Sequence, residues 1–212
     1  MQTSVQFINH ASVMVSDGNV SVLSDPWYSG DAFHRGWNLL VETKDREVKK
    51  MLSNVTHIWV SHEHPDHFSI AFFKIFLPIL KSQSIKILFQ KTKDRRVCSF
   101  LEAQGLEVIE LAFNEKVSLS NNFHVICIKD GILDSGLLIE SSGEKILNLN
   151  DCVVRTASRA KEIRATTGEV DVLLTQFSYA AWKGGEENRN WRQAAAQEKI
   201  DAMALQIDMF NP

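Results

Sequence analysis

Three histidines and an aspartate fall within six residues of this chain: His62, His64, Asp66 and His67, in the stretch VSHEHPDHFS over 60–69. The whole sequence holds seven histidines, so this crowding needs a cause. The apolar run HIWV at 57–60 comes directly before it and reads as a buried strand. Histidine is the commonest protein metal ligand, and carboxylates join it around zinc, iron or manganese. In an extended segment, residues i and i+2 point the same way, so His62 and His64 can clasp one ion. Pro65 turns the chain and sets Asp66 and His67 at the start of a helix, facing a second position close by. The spacing therefore predicts two metals about 3.5–4 Å apart, sharing a water. Glu63, on the opposite face, reads as surface. A lone histidine is ordinarily structural; three with an aspartate at a strand-to-helix junction point to a metal site.

Around this junction the pattern is mixed. Short strands are expected at 4–8, 12–15 and 20–24, with SDGN at 16–19 as a hairpin turn. Residues 25–41, DPWYSGDAFHRGWNLLV, have no period and predict a long aromatic-rich loop. A short polar helix over 45–52 follows. Strands at 57–60, 85–89 and 107–111 alternate with helices at 67–81 and 94–104, Pro78 ending or kinking the first and Gly105 terminating the second. β segments fill 117–149, then a helix at 156–168, a strand at 171–177 and a long helix at 190–210. No linker or repeat divides the 212 residues, so one α/β (α+β) domain with sheets inside and helices outside is expected.

Bulk properties narrow the function. A net charge of −3 with mixed-sign charged runs gives no basic stripe for nucleic acid. The three cysteines, Cys98, Cys127 and Cys152, form no CxxC pair, which suits a reducing, cytoplasmic setting. The apolar run at 68–80 is interrupted by Lys74 and is too short to span a bilayer.

HEHPDH matches the HxHxDH motif of the metallo-β-lactamase superfamily. HASVMV (10–15), SDPWYSGDAFHRGW (24–37), LDSGLLIE (133–140), ILNLNDC (146–152) and LLTQFSYA (173–180) follow in the order that family shows. Together they resemble the branch that contains the CMP-N-acetylneuraminate hydroxylases and, more distantly, lactonase-like hydrolases. The resemblance covers nearly the whole chain. It implies an αββα sandwich with metals at one edge of the sheets.

By that resemblance, His62 and His64 serve the first metal, Asp66 and His67 the second, and Asp151 bridges both. Asp25 supports the metal loop by hydrogen bonding, as carboxylates behind metal-bound histidines do; otherwise it simply opens an Asp-Pro turn. His10 lies near the site, or is a structural histidine in a strand-connecting turn. Trp27, Phe33, His34, Arg35 and Trp37 are candidates to hold a ring or a charged substrate group, Arg35 pairing phosphate or carboxylate; the alternative is a capping loop packed on the core. His57 and His124 read as structural, and Cys152 as packing.

Two departures from the family pattern stand out. Most relatives supply a third histidine to the first metal from a loop that here reads KDGILDSG over 129–136, so Asp130 or Asp134 is the expected substitute. The last metal histidine of the family lies beyond the point where this sequence stops. The second half of the sandwich is therefore expected to be incomplete, lacking its last strands and helix, with a partner chain, a second copy or a further segment to complete it.

The leading expectation is a zinc hydrolase, with one or two ions. A metal-bound hydroxide would attack an ester, lactone or phosphodiester, with Asp66 or Asp151 orienting the nucleophile and relaying the proton. The alternatives are an iron-dependent oxygenase, favoured by carboxylate in place of histidine and served by a separate electron donor, and a non-catalytic remnant of the fold. A small carbohydrate, nucleotide-sugar or phosphorylated substrate rests on the resemblance alone.

Overall fold

The computed structural model describes residues 2–179 and 183–212; Ala180, which closes the LLTQFSYA run, lies outside them. Its first sheet is built from β1 (Ser4–Asn9), β2 (Ser12–Ser16), β3 (Ser21–Ser24), β6 (His57–Val60), β7 (Lys86–Gln90) and β8 (Val108–Leu111), side by side in that order. The first three form an antiparallel meander, and β3, β6, β7 and β8 run parallel. The second sheet contains β9 (Lys116–Ser120), β10 (Phe123–Asp130), β11 (Asp134–Ser141), β12 (Glu144–Asn150) and β13 (Val172–Thr175). All its pairs are antiparallel except β12 with β13.

Strand side chains alternate between faces, and here the two faces fill different cores. Trp59 and Leu88 pack between the sheets against Phe123, Val125, Cys127, Leu137 and Ile139. Their neighbours Ile58, Val60, Ile87 and Phe89 face outward, onto α1 (Asp45–Leu52), α2 (Ile70–Ser82) and α3 (Arg96–Ala103). On the far side, Ile126, Ile128, Leu138 and Leu147 pack under α4 (Ala157–Thr167) and α5 (Arg189–Phe210). Two sheets, each buried on both faces and covered by helices, make the αββα sandwich. Each fully buried Leu, Ile or Phe contributes ~1.5–3 kcal/mol, so these cores hold the sheets in register at the site.

Three details depart from expectation. Helix α2 starts at Ile70, because the Ser69 side chain accepts from the Phe72 amide at 3.3 Å and caps it. Asp66 and His67 therefore sit in the turn ahead of the helix, where the amides of His67 and Phe68 both donate to the His64 carbonyl. Pro78 does not end α2, which continues to Ser82; the buried face of Phe72, Phe73, Phe76 and Leu80 outweighs one missing backbone bond. The 25–41 loop contains a small hairpin of β4 (Asp31–Ala32) and β5 (Trp37–Asn38). Its turn is made by Phe33, His34 and Arg35, all left-handed at φ 51, 54 and 71°, a conformation that costs a non-glycine residue ~1–2 kcal/mol.

No helix among the described residues is long and apolar enough to cross a membrane.

Candidate metal centre

The ends of five elements converge at one edge of the sandwich. Ser61 and His62 follow β6, Asp25 follows β3, Asp134 opens β11, Asp151 follows β12, and His10 lies in the turn between β1 and β2. Asp25 is the hub. Its carboxylate accepts from the Ser61 amide and hydroxyl, both at 2.8 Å, from His67 Nδ1 at 3.0 Å, and from the Asn150 side-chain amide. One buried carboxylate thereby ties three strand ends together. The Ser61 carbonyl in turn accepts from Ser135 Oγ at 2.6 Å and Gln90 Nε2 at 3.2 Å. Gln90 also donates to the Leu133 carbonyl, which latches the β10–β11 turn against the end of β6.

These ties aim the ring nitrogens. With Nδ1 of His67 on Asp25, its Nε2 faces Asp66 Oδ2 and Asp151 Oδ2, each at 3.4 Å. His62 Nδ1 lies 2.9 Å from Ser61 Oγ, leaving its Nε2 at 2.8 Å from His64 Nδ1 and 3.6 Å from Asp134 Oδ1. Three groups result whose ligand atoms lie within 4.8 Å of one another: His62, His64 and Asp134; His62, His67 and Asp151; His10, Asp66 and His67. Asp151 stands between the other two groups, where a bridging carboxylate would act.

The electrostatics are those of a cation site. Burial disfavours charge on His67, but Asp25, Asp151 and Asp66 outweigh it and push the imidazole up to about 12. Burial and the neighbouring His67 hold His62 down at about 4. Burial opposes ionisation of Asp66, yet hydrogen bonds from His10 and His67 keep its carboxyl well below the usual range. Asp151 is also lowered, His67 overcoming its burial, whereas burial and the Asp151 charge raise Asp134. Two of these carboxylates carry a buried oxygen with no hydrogen-bond partner, Asp66 Oδ1 and Asp134 Oδ1. Buried polar atoms are normally satisfied. Unpaired carboxylate oxygens beside inward-facing imidazoles fit a divalent metal.

Every ligand candidate, His62, His64, Asp66, His67, Asp134 and Asp151, is in one of the three groups. Asp130 is in none: its oxygens accept from Arg159 and from the Val153 amide at 2.7 Å, so it ties the 151–159 segment to β10. The aromatic loop divides. Trp27 is buried and meets the His10 ring edge-on at 5.1 Å; Trp37 does so at 6.1 Å. Phe33 reaches His64 at 5.8 Å and Trp37 at 5.4 Å. His34 and Arg35 are exposed at the hairpin tip, Arg35 lying 3.8 Å from Asp31. Away from the site, His57 Nδ1 lies 2.8 Å from Thr56 Oγ1, and His124 Nδ1 2.9 Å from Ser118 Oγ. Cys152 is buried, its thiol raised well above the ordinary value by desolvation. Sequence reading missed Gln176, which donates to Asp151 Oδ1 at 3.0 Å and accepts from Lys199 of α5. It also missed Gln90, Ser135 and Asn150 as supports.

Comparison with known proteins agrees with this fold. The chain is 31% identical over 203 residues to the cytidine monophosphate-N-acetylneuraminic acid hydroxylase of Xenopus laevis. That match covers 90% of this chain and 33% of the relative, so the chain spans about a third of that protein's length. Among solved structures it is similar to CmlA, a diiron beta-hydroxylase from Streptomyces venezuelae (TM-score 0.68, 15% identity, 100% of this chain, 43% of the other). It is also similar to a possible metal-dependent hydrolase from Veillonella parvula DSM 2008 (TM-score 0.64, 17% identity, 95% and 82% covered). At these identities the two structures establish the fold, and both have the metallo-β-lactamase sandwich in common with this chain. The family model for the beta-lactamase superfamily domain matches residues 4–194, and the chain belongs to that family.

Proposed function

We propose that the chain is the catalytic metal-binding domain of a dinuclear non-haem iron enzyme that hydroxylates a small substrate with dioxygen. The observation that carries this reading is Asp134, which stands 3.6 Å from His62 Nε2 where most of the family is expected to present a histidine. Two imidazoles and one carboxylate are the donor set of non-haem Fe(II) oxygenases and also of some zinc hydrolases, and a hard carboxylate oxygen in place of an imidazole tilts the position toward iron. The names of the hydroxylase relative and of the diiron beta-hydroxylase support the same reading.

His62, His64 and Asp134 would hold one ion, Asp66 and His67 the other, with Asp151 between them. Bound iron supplies one-electron and dioxygen chemistry. Asp25 fixes the His67 tautomer so that Nε2 stays turned inward. Trp27 and Trp37 pack edge-on against His10, and Phe33 against His64, which would shield those sides of the centre from water. Arg35, at the exposed hairpin tip, would pair the anionic group of a phosphorylated sugar or nucleotide-sugar. In that reaction one atom of dioxygen would enter the substrate, while two electrons from a separate donor protein, with two protons, would reduce the other to water. We place this chemistry in a reducing cytoplasm.

Hydrolysis of an ester, lactone or phosphodiester by a zinc-loaded site is the second reading, favoured by Asp151 lying where one carboxylate can bridge two ions. Asp66 and Asp151, held ionised, would then orient the attacking water.

Elemental analysis of protein purified without chelator or oxygen tests both. Iron, with dioxygen consumed when reductant is added, supports the hydroxylase. Zinc with lactonase or phosphodiesterase turnover moves the assignment to hydrolysis. Metal far below one ion per chain overturns both in favour of a non-catalytic remnant.

A further inference from the structure

We infer that His10 is a ligand of the second metal position. The inference deepens the metal-centre reading and rests on it. Without His10, that position has one imidazole, His67, with Asp66 and Asp151, whereas the first has His62 and His64 with Asp134. His10 lies in the β1–β2 turn, and its Nε2 reaches 3.2 Å from Asp66 Oδ2. The ligand atoms of His10, Asp66 and His67 lie within 4.8 Å of one another, a spread that one ion can close.

Three further observations point the same way. Asp66 is 4% exposed at its side chain, yet its Oδ1 has no hydrogen-bond partner. The His10 backbone is left-handed at φ 48°, a conformation that histidine adopts at a cost and that concentrates at functional sites. The ring is held edge-on between Trp27 and Trp37, with its centroid 5.8 Å from that of His67. A histidine that only filled a turn would need neither the backbone strain nor two indoles to aim it. A fixed imidazole beside an unpaired buried carboxylate oxygen is a half-assembled coordination shell.

The competing role is a hydrogen-bond donor that steadies Asp66 from outside the shell. Glutamine separates the two, because its amide can donate to Asp66 but is a poor ligand for zinc. Metal-free wild-type protein, His10→Ala and His10→Gln are titrated with zinc ion alone against a chromophoric chelator, with thermal melting to confirm folding. Asparagine tolerates the left-handed backbone well, so His10→Asn replaces any variant that does not fold. Wild type is expected to take up two ions. Both variants are expected to lose the weaker ion, or to bind it more than ~100-fold less tightly, beyond what loss of an outer partner costs, while the other ion is unaffected. If His10→Gln binds both ions as wild type does, the ligand role is overturned. A wild-type stoichiometry of one ion also overturns it and leaves a mononuclear centre standing; a stoichiometry of zero removes the metal-centre reading itself.

Discussion

Asp25 Oδ2 stands 3.0 Å from His67 Nδ1, and the two side chains are 0% and 1% exposed. The pair does two things at once: it ties β3 to the turn after β6, and it leaves the other nitrogen of the His67 ring, Nε2, facing Asp66 and Asp151. Removing the carboxylate is expected to weaken zinc binding ~10–100-fold, the usual effect of losing such a partner. It also takes one of three carboxylate partners from the buried His67 imidazole, with Asp66 and Asp151 remaining, and is expected to destabilise the metal-free protein by less than the ~3–5 kcal/mol of a wholly unpaired buried charge. Chelator competition and denaturant melts of Asp25→Ala check both, and Asp25→Asn, which keeps an acceptor, is expected to fall between.

Gln176 gives a second, finer test. Its side chain donates to Asp151 Oδ1 at 3.0 Å and is itself held by Lys199, so the long closing helix reaches the centre through one amide. Gln176→Leu leaves that oxygen without its donor and is expected to loosen metal binding by about tenfold. Gln176→Glu sets a second carboxylate against Asp151 and is expected to cost more in metal-free protein at neutral pH and low salt. Circular dichroism of both variants should match wild type.

Much of this centre was legible in order along the chain. HIWV followed by HEHPDH marks a strand end and the candidate ligands beyond it, because those residues are neighbours in sequence. Asp151 was named through the resemblance and Asp134 as a substitute for the absent third histidine; one follows β12 and the other opens β11, which brings both beside the histidines. Asp25 was named as a support through the resemblance, but the partners that complete its network were not legible. Ser135 meets the Ser61 carbonyl across 74 residues, and Gln176 meets Asp151 across 25; no local pattern records such pairings. The start of α2 was set too early because Pro65 looked like the turn that begins the helix, while the Ser69 side chain caps it. The β4–β5 hairpin was invisible because its strands are two residues each, too short to show a period.

Acid stability should depend on His57, which is remote from the metal ligands. Burial, then the Lys86 charge, lowers its imidazole from 6.5 to about 4. The unfolded chain therefore binds a proton between pH 6.5 and pH 4 that the native state does not. Stability rises with pH wherever the unfolded state binds more protons, so it is fully present above pH 6.5 and declines as pH falls toward 4. Metal-free wild type is expected to lose melting temperature over that window more steeply than His57→Gln, which has no proton to take up. Parallel curves for the two proteins would rule out this role.

Asp134 allows the choice of metal to be tested in the chain itself. Its Oδ1 is buried without a hydrogen-bond partner, and it faces His62 Nε2 across 3.6 Å. The donor set that His62, His64 and Asp134 would offer is two nitrogens and a hard oxygen. Replacing that oxygen by imidazole in Asp134→His gives the three-histidine set that suits zinc, while Asp134→Ala removes the third donor altogether. When the two variants and wild type are offered iron(II) and zinc in competition without oxygen, wild type should retain the highest share of iron. Asp134→His should shift toward zinc by about tenfold or more, on the hardness argument that separates carboxylate from imidazole, and should lose reductant-dependent dioxygen uptake. Asp134→Ala should hold one ion fewer or hold it weakly. An Asp134→His protein with the wild-type preference would show that Asp134 does not select the metal, and would remove the observation on which the hydroxylase assignment chiefly stands.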